Sequence, residues 1–193
     1  MAGKTVVDDL FGFTMNVPDG FEEFEALTKP GADIDIVHAF RSGDPTDDEV
    51  DITFIVEDLD GTIGPERLSI EDAPPGFKGR VFTTMWQDFE LDAFEIPEQV
   101  GPYELITMNV QVPLKPVAIQ VRLTGAKDRK AELNSLLEEI LAGLEGETTW
   151  KRTGLTAKVG SSKVPLRTIG LLVLLLPLAL LLWVFVRFVK RQS

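Results

Sequence analysis

The sequence predicts an α+β fold: a mainly antiparallel β-sheet covered by a long C-terminal helix, followed by a single transmembrane helix. Three observations predict it. Several stretches alternate apolar and polar residues with a period of two, as strands with one covered face do. A stretch near residues 130–144 repeats its apolar residues at helical spacing. Residues 169–186, IGLLVLLLPLALLLWVFV, carry no charge.

The elements follow in order. Phe11, Phe13, Met15 and Val17 alternate with Gly12, Thr14 and Asn16, and Pro18-Asp19-Gly20 ends that run as a turn. Residues 34–40 form a second strand candidate. Val50, Ile52, Phe54 and Val56 alternate with Asp51, Thr53 and Ile55. Residues 80–88 and 89–96 follow less cleanly. Ile106, Met108, Val110 and Val112 alternate with Thr107, Asn109 and Gln111, and Ile119, Val121 and Leu123 with Gln120 and Arg122. The short connector Pro113-Leu114-Lys115-Pro116 makes these last two strands a hairpin. Asp128 is an N-cap candidate for the helix. Leu133, Leu136, Leu137, Ile140, Leu141 and Leu144 form its apolar stripe, with Glu132, Glu138 and Glu139 on the wet face and Gly146 placed to end it. Shorter helices are expected at residues 21–27 and 65–70.

Charge divides the chain. Residues 1–150 hold 11 Lys and Arg against all 31 acids, a net of −20; residues 151–193 hold 8 Lys and Arg and no acid. The acidic part repels nucleic acid and anionic lipid, and the basic part attracts anionic lipid. The division expected is an acidic head at 1–147, a basic flexible linker at 148–166, a transmembrane helix at 167–189 and a short basic tail at 190–193. Ile169, Leu172, Leu175, Pro177, Leu180, Trp183 and Val186 mark the span. Eighteen residues rise about 27 Å as a helix, near the hydrocarbon thickness of a bilayer. Pro177 introduces a mild kink that lipid-embedded helices tolerate, and Trp183 lies where aromatic rings favour the interface. Lys163 and Arg167 before the span, and Arg187, Lys190 and Arg191 after it, set topology and can rest on lipid headgroups. Lys151, Arg152 and Lys158 bring the near-side total to five, so the head is expected in the cytoplasm. The N-terminus, MAGKTVVDDLFGF, has no basic n-region followed by an apolar h-region, so no signal peptide is expected. The architecture expected is single-pass and tail-anchored.

The stretches FGFTMNVPDGFEEF, VDITFIVED and YELITMNVQVPLKPVAIQVRLTGAKDRKAELNSLLEEILAGL resemble, in pattern and order, the PsbP subunits of the oxygen-evolving complex and DcrB-type lipoproteins. That resemblance covers most of residues 8–146. It implies an α/β/α sandwich whose final strand pair leads into one long helix, and an accessory or binding role rather than catalysis.

Asp58-Leu59-Asp60-Gly61-Thr62 also resembles the first motif of the haloacid dehalogenase phosphatases. That resemblance implies Asp58 as nucleophile and Asp60 as general acid/base with magnesium, the alternative reading of function. The context argues otherwise: strands precede the motif, one long helix cannot supply parallel crossovers, and Glu57 stands where an apolar residue belongs. Aligning Gly61 with the glycine of a calcium loop puts Val56 and Arg67 at ligand positions neither can serve. A looser divalent site could combine Asp58 and Asp60 with Asp44, Asp47, Asp48 and Glu49. The reading adopted is a strand end followed by a glycine turn, with no metal and no cofactor. His38, the single histidine, reads as a structural side chain in an apolar strand. Trp86 and Trp150 read as core or membrane-edge aromatics. No phosphate-binding glycine loop or basic-aromatic nucleic-acid surface is present. The function expected is an accessory or protein-interaction module at the membrane surface, not an enzyme. Its partners are the lipid bilayer and a protein, for which the acidic head suits a basic surface. A small-ligand or cation-binding head is a further alternative, and oligomeric state is open.

Overall fold

The computed structural model describes residues 4–25, 35–43, 51–67 and 77–151. Among these residues, ten strands form two antiparallel sheets. The small sheet holds β1 (Thr5–Asp8), β2 (Phe13–Asn16) and β10 (Leu144–Gly146), in the order β1-β2-β10. The large sheet holds β3 (Phe21–Glu23), β4 (Ile36–Ser42), β5 (Thr53–Asp58), β6 (Arg80–Trp86), β7 (Phe89–Val100), β8 (Tyr103–Val112) and β9 (Ile119–Ala126), in the order β3-β4-β5-β9-β8-β7-β6. The helix α1 (Lys130–Ala142) follows β9 after a 3-10 turn at Lys127–Arg129.

The alternation read from the sequence sets the register. β8 and β9 pair as the expected hairpin, from Val112 opposite Ile119 to Leu105 opposite Ala126. Phe54, Val56, Met108, Val110, Val121 and Leu123 all point to one face and are fully buried. Leu133, Leu137, Ile140 and Leu141 of α1, with Phe13, Met15 and Leu144 of the small sheet, complete the same apolar core. Burying each such helix side chain contributes about 1.5–3 kcal/mol, so the stripe rather than intrinsic propensity holds α1 in place.

The helix differs from expectation at both ends. It has 13 residues, not a long run to Gly146, and its N-cap is Arg129, with no side-chain cap bond. Asp128 sits in the 3-10 turn instead, and Arg129 grips Glu132 with Nε and Nη2, both at 2.8 Å. The helix stops at Gly143, which packs against β2: a Cβ there would lie 3.0 Å from Asn16 Cβ. Leu144 keeps the apolar period but is a strand residue opposite Met15, because β2 offers a free edge. Phe21 begins strand β3, paired to Ser42, where a helix was expected; residues 26–27 of that expectation lie outside the described residues. Residues 65–67 are not helical, and 68–70 lie outside. Among the described residues α1 is the one α-helix, covering one face of the large sheet, so the second helical layer of an α/β/α sandwich is not seen there. No described helix is long and apolar enough to cross a membrane. The expected span from Ile169 to Val186 and its flanking Lys163, Arg167, Arg187, Lys190 and Arg191 lie outside the described residues.

Candidate functional site

Polar side chains gather on the face of the large sheet opposite the apolar core. The register places them: Glu57 lies opposite Gln120, Arg122 opposite Asn109, and Thr124 opposite Thr107. All are buried or nearly so, with Glu57 only 3% exposed. Gln120 Nε2 donates to Glu57 Oε2 at 2.6 Å. Arg122 Nη2 reaches Glu57 Oε2 at 2.9 Å and Oε1 at 2.7 Å. The Thr107 and Thr124 hydroxyls bond each other at 3.0 Å. Among the described residues, Asn109 Oδ1, Arg122 Nε and Glu98 Oε1 find no partner. Burial pushes the Glu57 carboxyl above the usual carboxylate range, outweighing the Arg122 charge and the hydrogen bonds from Gln120 and Arg122.

Glu98 on β7 is raised for the same reason: burial outweighs the Arg122 charge and the Thr107 hydroxyl. An acid raised in the folded state stabilises the fold below its unfolded pKa, and that contribution is lost as pH rises through the folded pKa. Glu98→Gln is therefore expected to raise stability at neutral pH and to change it little near pH ~4. Urea midpoints at the two pH values check this; an equal shift at both would contradict it.

The segment that opened the phosphatase question resolves into a turn. Asp58 closes β5 opposite Ile119, and its Oδ1 accepts the Asp60 N–H at 2.7 Å. Asp60 takes φ 49° and Gly61 φ 154°, as a tight acidic turn with a glycine requires. Leu59 N donates to Ala118 O at 3.1 Å and Ala118 N to Gly61 O at 2.6 Å, so the turn is tied to the β8–β9 connector. β5 is antiparallel to both β4 and β9, not the parallel strand that motif needs. Among the described residues no group of three or more acidic or His side chains could hold a metal. Asp44, Asp47, Asp48 and Glu49 lie outside the described residues.

His38 bridges the two sheets. Its Nε2 lies 3.0 Å from Asp8 Oδ2 and its Nδ1 3.5 Å from Glu23 Oε1, while its ring meets Phe13 edge-on at 6.0 Å. Trp86 is fully buried and donates Nε1–H to Leu144 O at 2.8 Å. Trp150 donates to Ile63 O at 2.9 Å and meets Phe89 edge-on at 5.9 Å. Leu114 bridges Thr148, so the chain is held to the head as far as Trp150, within the stretch expected as linker. A shallow depression lined by Asn16, Val17, Asp19 and Glu139 lies elsewhere.

The sequence singled out Asp58, Asp60 and His38, and noted Glu57 only as a misfit. The missed site is the Glu57–Gln120–Arg122 layer. Its signal was a row of hydrogen-bonding side chains alternating with the core residues of β9, which reads equally as a solvated face.

No family model matches the chain, and no curated protein matches it. Its structure is similar to several solved ones. LpqN of Mycobacterium tuberculosis, involved in cell envelope biogenesis, shares 15% identity over 73% of this chain and 88% of its own, with a TM-score of 0.46. A Bacteroides thetaiotaomicron protein shares 17% over 77% of this chain, with a TM-score of 0.50; the chain spans 50% of its length. A cyanobacterial PsbP of Synechocystis shares 14% over 76% of this chain and 94% of its own, with a TM-score of 0.45. At 17% identity the Bacteroides likeness concerns the fold alone.

Proposed function

We propose that the chain is a membrane-anchored accessory module whose acidic head docks a protein partner at the bilayer surface. The observation that carries this reading is the uncharged run at residues 169–186 following a head of net charge −20. An 18-residue apolar run is long enough to span a bilayer, and the five positives before it favour a cytoplasmic head. The packing of Trp150 against Phe89 and its bond to Ile63 support a head that holds the chain as far as Trp150. The reading as a non-enzyme is supported by how the polar groups are used. Glu57 is engaged by Arg122 and Gln120, Asp58 by its own turn, and His38 by Asp8.

The acidic head steers a basic partner by long-range attraction, which salt screens. Gentle detergent extraction of the tagged chain is expected to bring down a stoichiometric companion. Its association rate is expected to fall steeply between low and physiological salt. A chain that purifies alone, or binding indifferent to salt, would contradict the respective part of this reading.

A further inference from the structure

The chain has one histidine, and a bulge aims it. Ile36 of β4 lies opposite Glu57 on the polar face, so strict alternation would carry residue 38 to that face as well. The register shifts between Ile36 and His38 instead, and His38 comes to lie opposite Val56, on the core side. There its ring reaches the seam between the two sheets, stacked on Phe40 at 6.1 Å and edge-on to Phe13 at 6.0 Å. Its side chain is 17% exposed.

Two carboxylates from different sheets converge on its two ring nitrogens. Asp8 of β1 meets Nε2 through Oδ2 at 3.0 Å, and Glu23 of β3 meets Nδ1 through Oε1 at 3.5 Å. Asp8 is fixed independently: its Oδ1 accepts the Leu10 and Phe11 N–H groups, both at 3.0 Å. Glu23 also pairs with Lys4 at 2.5 Å, an exposed contact that contributes little by itself. Lys4 first, and His38 after it, hold the Glu23 carboxyl below the usual carboxylate range against the opposing effect of burial. Among the described residues, Asp8, Glu23 and Lys4 are the charged groups that face His38 or its partners at this seam. An imidazolium donates from both nitrogens; a neutral imidazole donates from one and turns a lone pair on the other carboxylate. Asp8 is the closer and better-fixed partner, so in the neutral ring Nε2 keeps the proton and Glu23 loses its donor.

We propose that His38 is a proton-operated clasp that holds the edge strand β3 to the rest of the fold through Glu23. β3 is three residues long and outermost in its sheet, so its few backbone bonds to β4 need side-chain support. The clasped state binds the extra proton more tightly than the released one. Clasping is therefore favoured as pH falls towards the carboxylate range, and it is lost as pH rises through the range in which imidazoles titrate. Release leaves the seven-residue edge of β4 uncovered, a row of backbone groups open to pairing. The clasp depends neither on the membrane anchor nor on the docking role.

The Phe24 N–H, which donates to Ala39 O of β4 at 2.9 Å just beyond β3, reports the clasp. In the full chain in detergent, its protection from hydrogen exchange, corrected for the intrinsic rate, is expected to fall about fivefold from pH ~6 to pH ~8, the upper end for a half-exposed ion pair. Amides of the β8–β9 hairpin are expected to keep their protection. His38→Gln, uncharged at both pH values, is expected to remove the response. Glu23→Gln, a change on a half-exposed side chain outside the core, is expected to do the same. Glu57 and Glu98, which burial raises, stay in both variants, so a response of theirs would survive there. Equal protection of Phe24 at both pH values, a rise instead of a fall, a loss shared by the β8–β9 hairpin, or a parent-like response in either variant would overturn the proposal.

Discussion

Replacing Glu57 with alanine is expected to cost about 3–5 kcal/mol, because it leaves the Arg122 guanidinium buried without its counter-charge. The Gln120 amide loses its acceptor as well, which adds to the cost. The raised pKa of Glu57 shows that burial already outweighs the pairing, so the ion pair is tolerated rather than strongly stabilising. Replacing both partners with apolar residues, Glu57→Leu with Arg122→Met, is therefore expected to be neutral or to stabilise by about 1–4 kcal/mol. By the same sign rule as for Glu98, the double variant also loses the decline in stability as pH rises through the folded pKa of Glu57. Urea unfolding of the two variants at neutral pH reads both effects. A single-variant loss below about 1 kcal/mol would mean that water reaches Arg122 freely.

Phe54→Ala is expected to cost about 3–5 kcal/mol, the range for removing a fully buried aromatic ring. Phe54 stacks on Phe40 at 5.0 Å and meets Phe21 edge-on at 6.4 Å, so it joins the edge strand β3 and its neighbour β4 to the centre. β5 is also the strand that carries Glu57 and ends in the Asp58 turn. The loss is therefore expected to weaken hydrogen-exchange protection in β3 and β4 more than in the β8–β9 hairpin. Uniform loss across both would contradict that division.

The central strands were legible because their alternation is strict. Met108, Val110, Val121 and Leu123 face an apolar core, and the connector between β8 and β9 is too short for anything but a hairpin. The three short strands were not legible. β1, β3 and β10 have three or four residues each, and their pairing depends on which edge lies within reach. Leu144 shows the ambiguity: its spacing fits helix and its neighbour β2 makes it strand. The polar layer was hidden for a different reason. Period-two alternation separates two faces but does not say whether the polar one is wet. Gln120 and Thr107 look like solvent-facing residues in sequence and are 4% and 1% exposed in the fold. Glu57 was visible only as a charge where a phosphatase strand would be apolar. Asp58-Leu59-Asp60-Gly61 was read as a turn, and the Asp60 N–H bond to Asp58 is what such a turn requires.

Membrane partition of the full chain beside a chain ending at residue 166 tests the central claim most directly. Alkaline carbonate strips peripheral proteins and leaves spanning ones behind. The full chain is expected in the membrane pellet and the shortened chain in the supernatant, since alkaline carbonate strips whatever Lys151, Arg152, Lys158 and Lys163 hold at the headgroups. Release of the full chain, or retention of the shortened one, would contradict an accessory head held at the bilayer by the segment that follows it.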